Sequence, residues 1–291
     1  MESIGFVGLG HMGGNMAARL MDTDYAVCGT ARNRDGAQWL VDRGLQWLDT
    51  PREVAEMADV VLTSLPDDAV VESVSSGADG LLAGLGRGMV WMDLSTINPR
   101  VSRELADRVH RDAQGAQMLD APVSGSVPQV QAGTLTIMVG GPEDAYARVE
   151  PLLSVLGTPT RIGDNGHGLA LKLAINISLA VQTLAFSEGL LLAERDGVEP
   201  HLAATVMANS AIGSPMLKAR VPLVLDKPEE TWFDVGMMHK DIRLALAVGE
   251  ELGAPLPSAE VADKVLDRAT AAGYEHHDIA SIFQLLGSGL S

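Results

Sequence analysis

The sequence predicts an α/β fold: an N-terminal doubly wound sheet over residues 1–163, a long connecting helix over 164–194, and an all-α C-terminal domain over 195–291. Three observations predict it. A short apolar run, a glycine-rich turn and a helical stretch open the chain. Apolar strand-like runs then alternate with helical stretches as far as Gly163. Beyond that point only helical patterns and caps appear, broken by loops near Pro200, 213–215, Pro228 and 255–257.

Residues 3–7 form the first strand, followed by Gly8-Leu9-Gly10-His11-Met12-Gly13 and then by a helical run from Asn15. Strand, GxGxxG and helix in that order are the context of a Rossmann-type dinucleotide fingerprint. Gly8 permits the tight turn, Gly10 lets backbone approach a diphosphate, and Gly13 lets helix and strand pack closely. The diphosphate then rests on the helix N-terminus, where free N–H groups and the dipole favour negative charge. The second strand covers residues 25–30 and is followed by Ala31-Arg32-Asn33-Arg34-Asp35. Folds that prefer NAD place an Asp or Glu at this strand end for the ribose 2′-OH. Thr30 or Ala31 fills that place here, so Arg32 and Arg34, with Asn33 between them, point to a 2′-phosphate and to NADP. Asp35 is read either as a ribose ligand or as a residue of the next helix, the second reading being preferred.

Further strands are expected at 59–65, 89–96, 118–121 and 135–139. Ligands of open parallel sheets bind outside the carboxyl ends of the strands, which places Leu65, Pro66, Ser95 and Thr96 beside the cofactor. The loop Ser124-Gly125-Ser126 offers two hydroxyls and backbone N–H groups suited to a carboxylate.

From Leu169 onward the connecting stretch carries apolar residues on almost every face, and it reads as a helix buried all round. Lys172 is its only permanently charged side chain before Glu188, and Asn176 lies one turn later on the same face. Burial lowers a lysine's pKa, which makes Lys172 a candidate proton donor and acceptor near neutral pH. A structural core lysine paired with a distant carboxylate is the competing reading. A membrane span is opposed by Lys172, Asn176, Gln182 and Glu188 within the run.

Twenty-one lysines and arginines against 38 acidic residues give a net charge of −17, which makes nucleic acid and anionic membranes poor partners. The single cysteine, Cys28, reads as a small hydrophobe in a strand and fits a reducing compartment. The N-terminus carries no basic and apolar leader pattern, so the expected location is cytoplasmic. His276-His277 reads as a solvated pair, and no metal site is expected.

Five motifs occur in order: GFVGLGHMGGNMA (5–17), DLSTINP (93–99), DAPVSGS with AGTLTIMVGG (120–141), GxGxxxKLxxN (166–176) and HKDIRLAL (239–246). On these the chain resembles the β-hydroxyacid dehydrogenase family over essentially its whole length. The resemblance implies a 6-phosphogluconate dehydrogenase-like arrangement and NADP or NAD as hydride carrier. It also implies Lys172 as the catalytic acid/base, with Asn176 orienting substrate. Ser124 and Gly125 then bind the substrate carboxylate, and Leu65, Pro66, Thr96 and Lys240 contact the cofactor. Asp241 is read equally as a partner of Lys240 or as one half of a solvated pair. The SGS loop, the 214–218 segment, Phe233 with HKDIRLAL, and Ala31-Arg32-Asn33 after the second strand resemble the glyoxylate/succinic semialdehyde reductase branch, which prefers NADPH. Ala31 and Val127-Pro128 depart from that branch and leave the exact aldehyde open.

The implied activity is hydride transfer between a nicotinamide and a small semialdehyde or hydroxy acid. Oxidation of a 3-hydroxyisobutyrate-type substrate with NAD, imine reduction, and a non-catalytic dinucleotide-binding role are the alternatives. The apolar helical region further suggests a homodimer or homotetramer.

Overall fold

The computed structural model describes residues 2–23, 25–113, 115–226 and 231–289, so the loop expected near Pro228 lies outside the described residues. The chain divides into two compact units, Met1–Lys172 and Leu173–Ser291.

The first unit opens with β1 (Ile4–Val7), α1 (His11–Met21) and β2 (Val27–Thr30). A short helix α2 (Gln38–Val41), a two-residue strand β3 (Gln46–Trp47) and α3 (Pro51–Met57) lead to β4 (Val60–Thr63). Next come α4 (Asp68–Ser75), α5 (Leu81–Gly84), β5 (Val90–Asp93), α6 (Pro99–Asp112) and β6 (Gln117–Asp120). The remaining elements are β7 (Val123–Ser124), α7 (Val127–Ala132), β8 (Leu135–Gly140), α8 (Glu143–Leu156) and β9 (Gly157–Gly163). The strands form one sheet in the order β3-β2-β1-β4-β5-β6-β8-β7, with β9 pairing β8. From β3 to β6 every pairing is parallel, whereas β8 runs antiparallel to β6 and β7. The order runs outward from β1 in both directions, which is the doubly wound pattern expected from the sequence.

Both faces of this sheet are covered, and period-two alternation distributes its side chains between two cores. Ile4, Phe6, Val60, Leu62, Val90, Met92 and Leu119 join one core, with residues of α1, α7 and α8. Val7, Val61, Trp91 and Met118 join the other, with residues of α3 and α6. Cys28 lies buried in the second core, as a small hydrophobe would, and burial pushes its thiol pKa up. Local chemistry fixes the helix starts. Thr50 and Glu53 form a capping box under Pro51 at the start of α3, and Asp67 accepts the Val70 N–H at the start of α4.

The helix α9 (His167–Arg195) follows, with its first residues in the first unit and the rest in the second. It is the one helix among the described residues long and apolar enough to cross a bilayer by length and composition. Its buried residues include Lys172, Asn176, Thr183 and Ser187, and its apolar residues enter three protein cores. The Thr183 and Ser187 hydroxyls donate to carbonyls four residues back, at 2.8 and 2.9 Å, so neither is left unsatisfied. The expectation of burial all round needs correction. Ala170, Leu171, Ala174, Ser178, Ala185, Glu188 and Leu192 form an exposed stripe, and Leu192 is 74% exposed. Apolar composition alone does not reveal which stripe of a helix is covered.

In the second unit α10 (Pro200–Asn209), α11 (Pro215–Asp226), α12 (Val235–Leu252), α13 (Pro257–Ala271) and α14 (Ile282–Gly287) pack with α9 into two cores. Ala180 and Leu184 of α9 meet α12, α13 and α14 in one, and Phe186 and Leu190 meet α10 and α11 in the other.

Phe6 is fully buried in the sheet core, so Phe6→Ala is expected to cost about 3–5 kcal/mol of stability. Half-exposed Met57→Ala should change it by less than about 0.5 kcal/mol. Denaturant midpoints of the two variants check this.

Candidate active site

The β1–α1 turn is built by close backbone approach. Gly8 has φ +96°, and a Cβ there would collide with the Ser64 carbonyl; a Cβ on Gly13 would collide with the Gly8 carbonyl. The turn is thereby pressed against the end of β4, and only glycine fits at either position. Gly8 N–H donates to Thr30 O at 3.0 Å, which adds the end of β2 to the cluster. Gly10 is the α1 N-cap with open space where its Cβ would stand, no side-chain cap, and no acidic residue in the first turn. The N–H groups at the start of α1 are therefore available to an anion. His11 is exposed and Met12 half-buried beside them. The Leu9 side chain lies in the core, which leaves its backbone as the part that borders the turn.

At the end of β2, Thr30 is buried and no carboxylate occupies the strand terminus. Arg32, Asn33 and Arg34 are exposed immediately beyond it. Asn33 Oδ1 accepts the Gly36 N–H at 3.3 Å, and the Arg34 guanidinium lies 5.3 Å from the Trp47 ring centroid. Asp35 begins a 3-10 turn, as expected.

A buried hydrogen-bond network holds the next two strand ends. Asp93 Oδ1 accepts from Thr63 Oγ1 at 2.7 Å and from Ser95 Oγ at 2.6 Å. Thr63 Oγ1 in turn accepts from Trp91 Nε1 at 3.0 Å, and Ser95 Oγ accepts the Leu65 N–H at 2.9 Å. Leu65 and Pro66 are thus positioned by a carboxylate on the neighbouring strand. Burial pushes the Asp93 carboxyl up, against the pull of the Ser95 and Thr63 hydrogen bonds. Thr96 follows, half-buried.

The loop after β6 divides its roles. Ser126 and Gln129 form a capping box at the start of α7, with Ser126 N–H donating to Gln129 Oε1 at 2.8 Å. Ser126 is therefore engaged in starting a helix. The half-buried Ser124 and exposed Gly125, at φ +132°, remain as the groups of this loop outside that cap.

Lys172 is 9% exposed on α9, one turn before Asn176, which is 1% exposed. The start of this helix is held by Asp120, whose Oδ1 accepts the Gly166 N–H at 2.7 Å and whose Oδ2 accepts the Leu169 N–H at 3.1 Å. His167 faces the opposite task, its Nδ1 accepting the Asp164 N–H at 3.1 Å. In the second unit, Asn176 Nδ2 donates to Asp241 Oδ2 at 2.6 Å, and Lys240 Nζ stands 2.9 Å from Asp241 Oδ1. Asp241 is buried, at 1% exposure, so it is no solvated half of a helix pair. It joins Asn176 to Lys240.

Sequence reasoning missed Thr63, Asp93 and Asp120 as organising residues. The first two end neighbouring strands, Thr63 and Asp93 being paired in register, as Asp93 and Asp120 are. Their signal was a polar residue closing an otherwise apolar strand.

Two family models match the chain end to end. The NAD binding domain of 6-phosphogluconate dehydrogenase matches residues 3–166. The NAD-binding domain of NADP-dependent 3-hydroxyisobutyrate dehydrogenase matches residues 166–286. A 3-hydroxyisobutyrate dehydrogenase of Pseudomonas aeruginosa is 35% identical over 295 residues, covering 98% of each chain. The Mycobacterium tuberculosis 3-hydroxyisobutyrate dehydrogenase structure, solved with L-serine, shares 29% identity with a TM-score of 0.88, covering 98% of this chain and 99% of that one. Psf3 in complex with NADP+ and 2-OPP shares 27% identity with a TM-score of 0.90, covering 97% and 99%. With a glycine turn, an uncapped helix start and polar strand ends that fit a dinucleotide, the chain belongs to the β-hydroxyacid dehydrogenase family and is an NAD(P)-dependent oxidoreductase.

Proposed function

We propose that this enzyme reduces a small carboxylate-bearing aldehyde, of the glyoxylate or succinic semialdehyde kind, with NADPH in preference to NADH. The observation that carries the cofactor preference is the end of β2. Thr30 closes the strand, no carboxylate stands there for a ribose 2′-OH, and two exposed arginines follow. A 2′-phosphate brings charge that Arg32 and Arg34 match, and Trp47 holds the Arg34 guanidinium against its ring.

When bound, the nicotinamide supplies a hydride to the carbonyl carbon. Lys172 holds a proton at Nζ and delivers it to the carbonyl oxygen as that oxygen gains electrons. Burial of Lys172 in an otherwise apolar helix limits the water that competes with it. Asn176, tied to buried Asp241, keeps a fixed orientation one turn away. Ser124 and Gly125 bind the substrate carboxylate through hydroxyl and backbone N–H. In the reverse direction the same lysine takes the proton from a hydroxyl.

A second reading, oxidation of a 3-hydroxyisobutyrate-type acid, is favoured by the 35% identity to the Pseudomonas aeruginosa enzyme of that name. Initial rates with NADPH and NADH against glyoxylate, succinic semialdehyde, tartronate semialdehyde and methylmalonate semialdehyde, with 3-hydroxyisobutyrate in the reverse direction, separate the two.

Lys172→Ala is expected to lower kcat by about 100- to 10,000-fold while NADPH binding persists. Stopped-flow turnover alongside a fluorescence titration of NADPH measures both. Arg32→Ala together with Arg34→Ala should raise the KM for NADPH about tenfold or more and leave that for NADH unchanged. Equal loss with both cofactors would show that the arginines do not read the 2′-phosphate.

A further inference from the structure

We propose that Asp120 is the positioning residue that fixes Lys172 relative to the Ser124–Gly125 loop. The proposal rests on the reading of Lys172 as the proton donor. Asp120 is the last residue of β6 and is fully buried. Its two oxygens take the N–H groups of Gly166 and Leu169 at 2.7 and 3.1 Å, and the Gly168 N–H also acts on it. Gly166 immediately precedes α9, and Gly168 and Leu169 lie in its first turn, where N–H groups lack partners within the helix. An anion there is also favoured by the helix dipole. Lys172 follows Leu169 by three residues, so the tether lies within one turn of the amine. In the other direction Ala121 and Pro122, both buried, lead from Asp120 into Val123 and Ser124 of β7. One side chain thereby ties the start of the lysine helix to the root of the substrate loop.

The surrounding backbone is cut back to accommodate it. A Cβ on Gly140 would come within 2.6 and 2.7 Å of the two Asp120 oxygens, and a Cβ on Gly168 within 2.8 Å of Oδ2. The residue type matters as well. A carboxylate presents acceptors on both oxygens, whereas an amide presents one acceptor and turns an NH2 toward a helix start that already consists of donors. Asp120→Asn keeps the volume and removes half of the tether.

The test compares Asp120→Asn with Lys172→Ala, using glyoxylate and succinic semialdehyde with NADPH. Fluorescence titration of NADPH counts the folded sites in each preparation. For Asp120→Asn the expected result is an unchanged NADPH Kd and a kcat per site lowered roughly 10- to 100-fold, as for a displacement of about 1 Å at a reacting group. The solvent deuterium isotope effect on kcat should also rise, because proton delivery becomes slower. Gly140→Ala keeps the carboxylate chemistry of Asp120 but forces the side chain, with the Asp164 carbonyl, to shift, and it should reproduce both changes. Unchanged kcat and isotope effect in Asp120→Asn would overturn the proposal. So would a loss of NADPH sites with normal turnover at each remaining site, since that assigns Asp120 to folding alone. Full activity of Lys172→Ala would instead overturn the acid/base reading, and it is seen independently of Asp120.

Discussion

Two carboxylates buried side by side at the carboxyl edge of the sheet constrain much of what surrounds them. Asp93 and Asp120 end neighbouring parallel strands in register and are 1% and 0% exposed. A buried ionised carboxylate costs several kcal/mol unless hydrogen bonds replace its water. Burial is the largest influence on both, and it pushes both carboxyls above the usual range; the like charge of Asp120 adds a smaller upward push on Asp93. The donors that answer this demand come from the neighbouring strand end, the segment after β5 and the start of α9. Thr63 and Ser95 turn toward Asp93, and the start of α9 turns toward Asp120. One Asp93 oxygen, Oδ2, remains buried without a hydrogen bond. An oxygen without a donor does nothing to offset the upward push of burial on this carboxyl.

The sheet makes such burial possible because both of its faces are covered. Parallel strands with helices on each side are apolar on both faces, so a polar residue at a strand end has nowhere wet to go. Val60-Val61-Leu62 and Val90-Trp91-Met92 send alternate side chains to two separate cores. Chain polarity then brings the carboxyl ends together, and with them Thr63, Asp93 and Asp120. Placement of the polar groups follows from topology; their hydrogen bonds follow from burial.

What was legible in the sequence was local. The strand–turn–helix runs without a break from Ile4 to Met21, and the glycine spacing at Gly8, Gly10 and Gly13 marks it before any distant contact is known. The doubly wound order, the long α9 and the helical second unit were legible from periodicity. Two-residue strands such as β3 and β7 were not, since two residues carry no period. Nor was the exposed stripe on α9, where Leu171 and Leu192 are as apolar as the residues that face a core. Of the candidate site, single residues were legible and their connections were not. Asp120 meets Gly166 across 46 residues, and Asn176 meets Asp241 across 65. Asp241 was therefore indistinguishable from an exposed acid until its burial was known.

An acidic chain that binds a polyanionic cofactor illustrates the difference between net charge and local field. At −17 the protein as a whole repels a dinucleotide phosphate. Exposed charges more than about 8 Å away are largely screened at physiological ionic strength. What remains is the immediate neighbourhood. There α1 begins without an acidic residue in its first turn and without a side chain occupying its N–H groups. Arg32 and Arg34 supply the only formal charge of the segment that follows β2 until Asp35. On the proposed reading, backbone donors and two arginines would suffice because they would act at contact distance, where screening is weakest and hydrogen bonds to charged groups are strongest. The acidic surplus on the rest of the surface is then free to serve solubility without opposing the ligand.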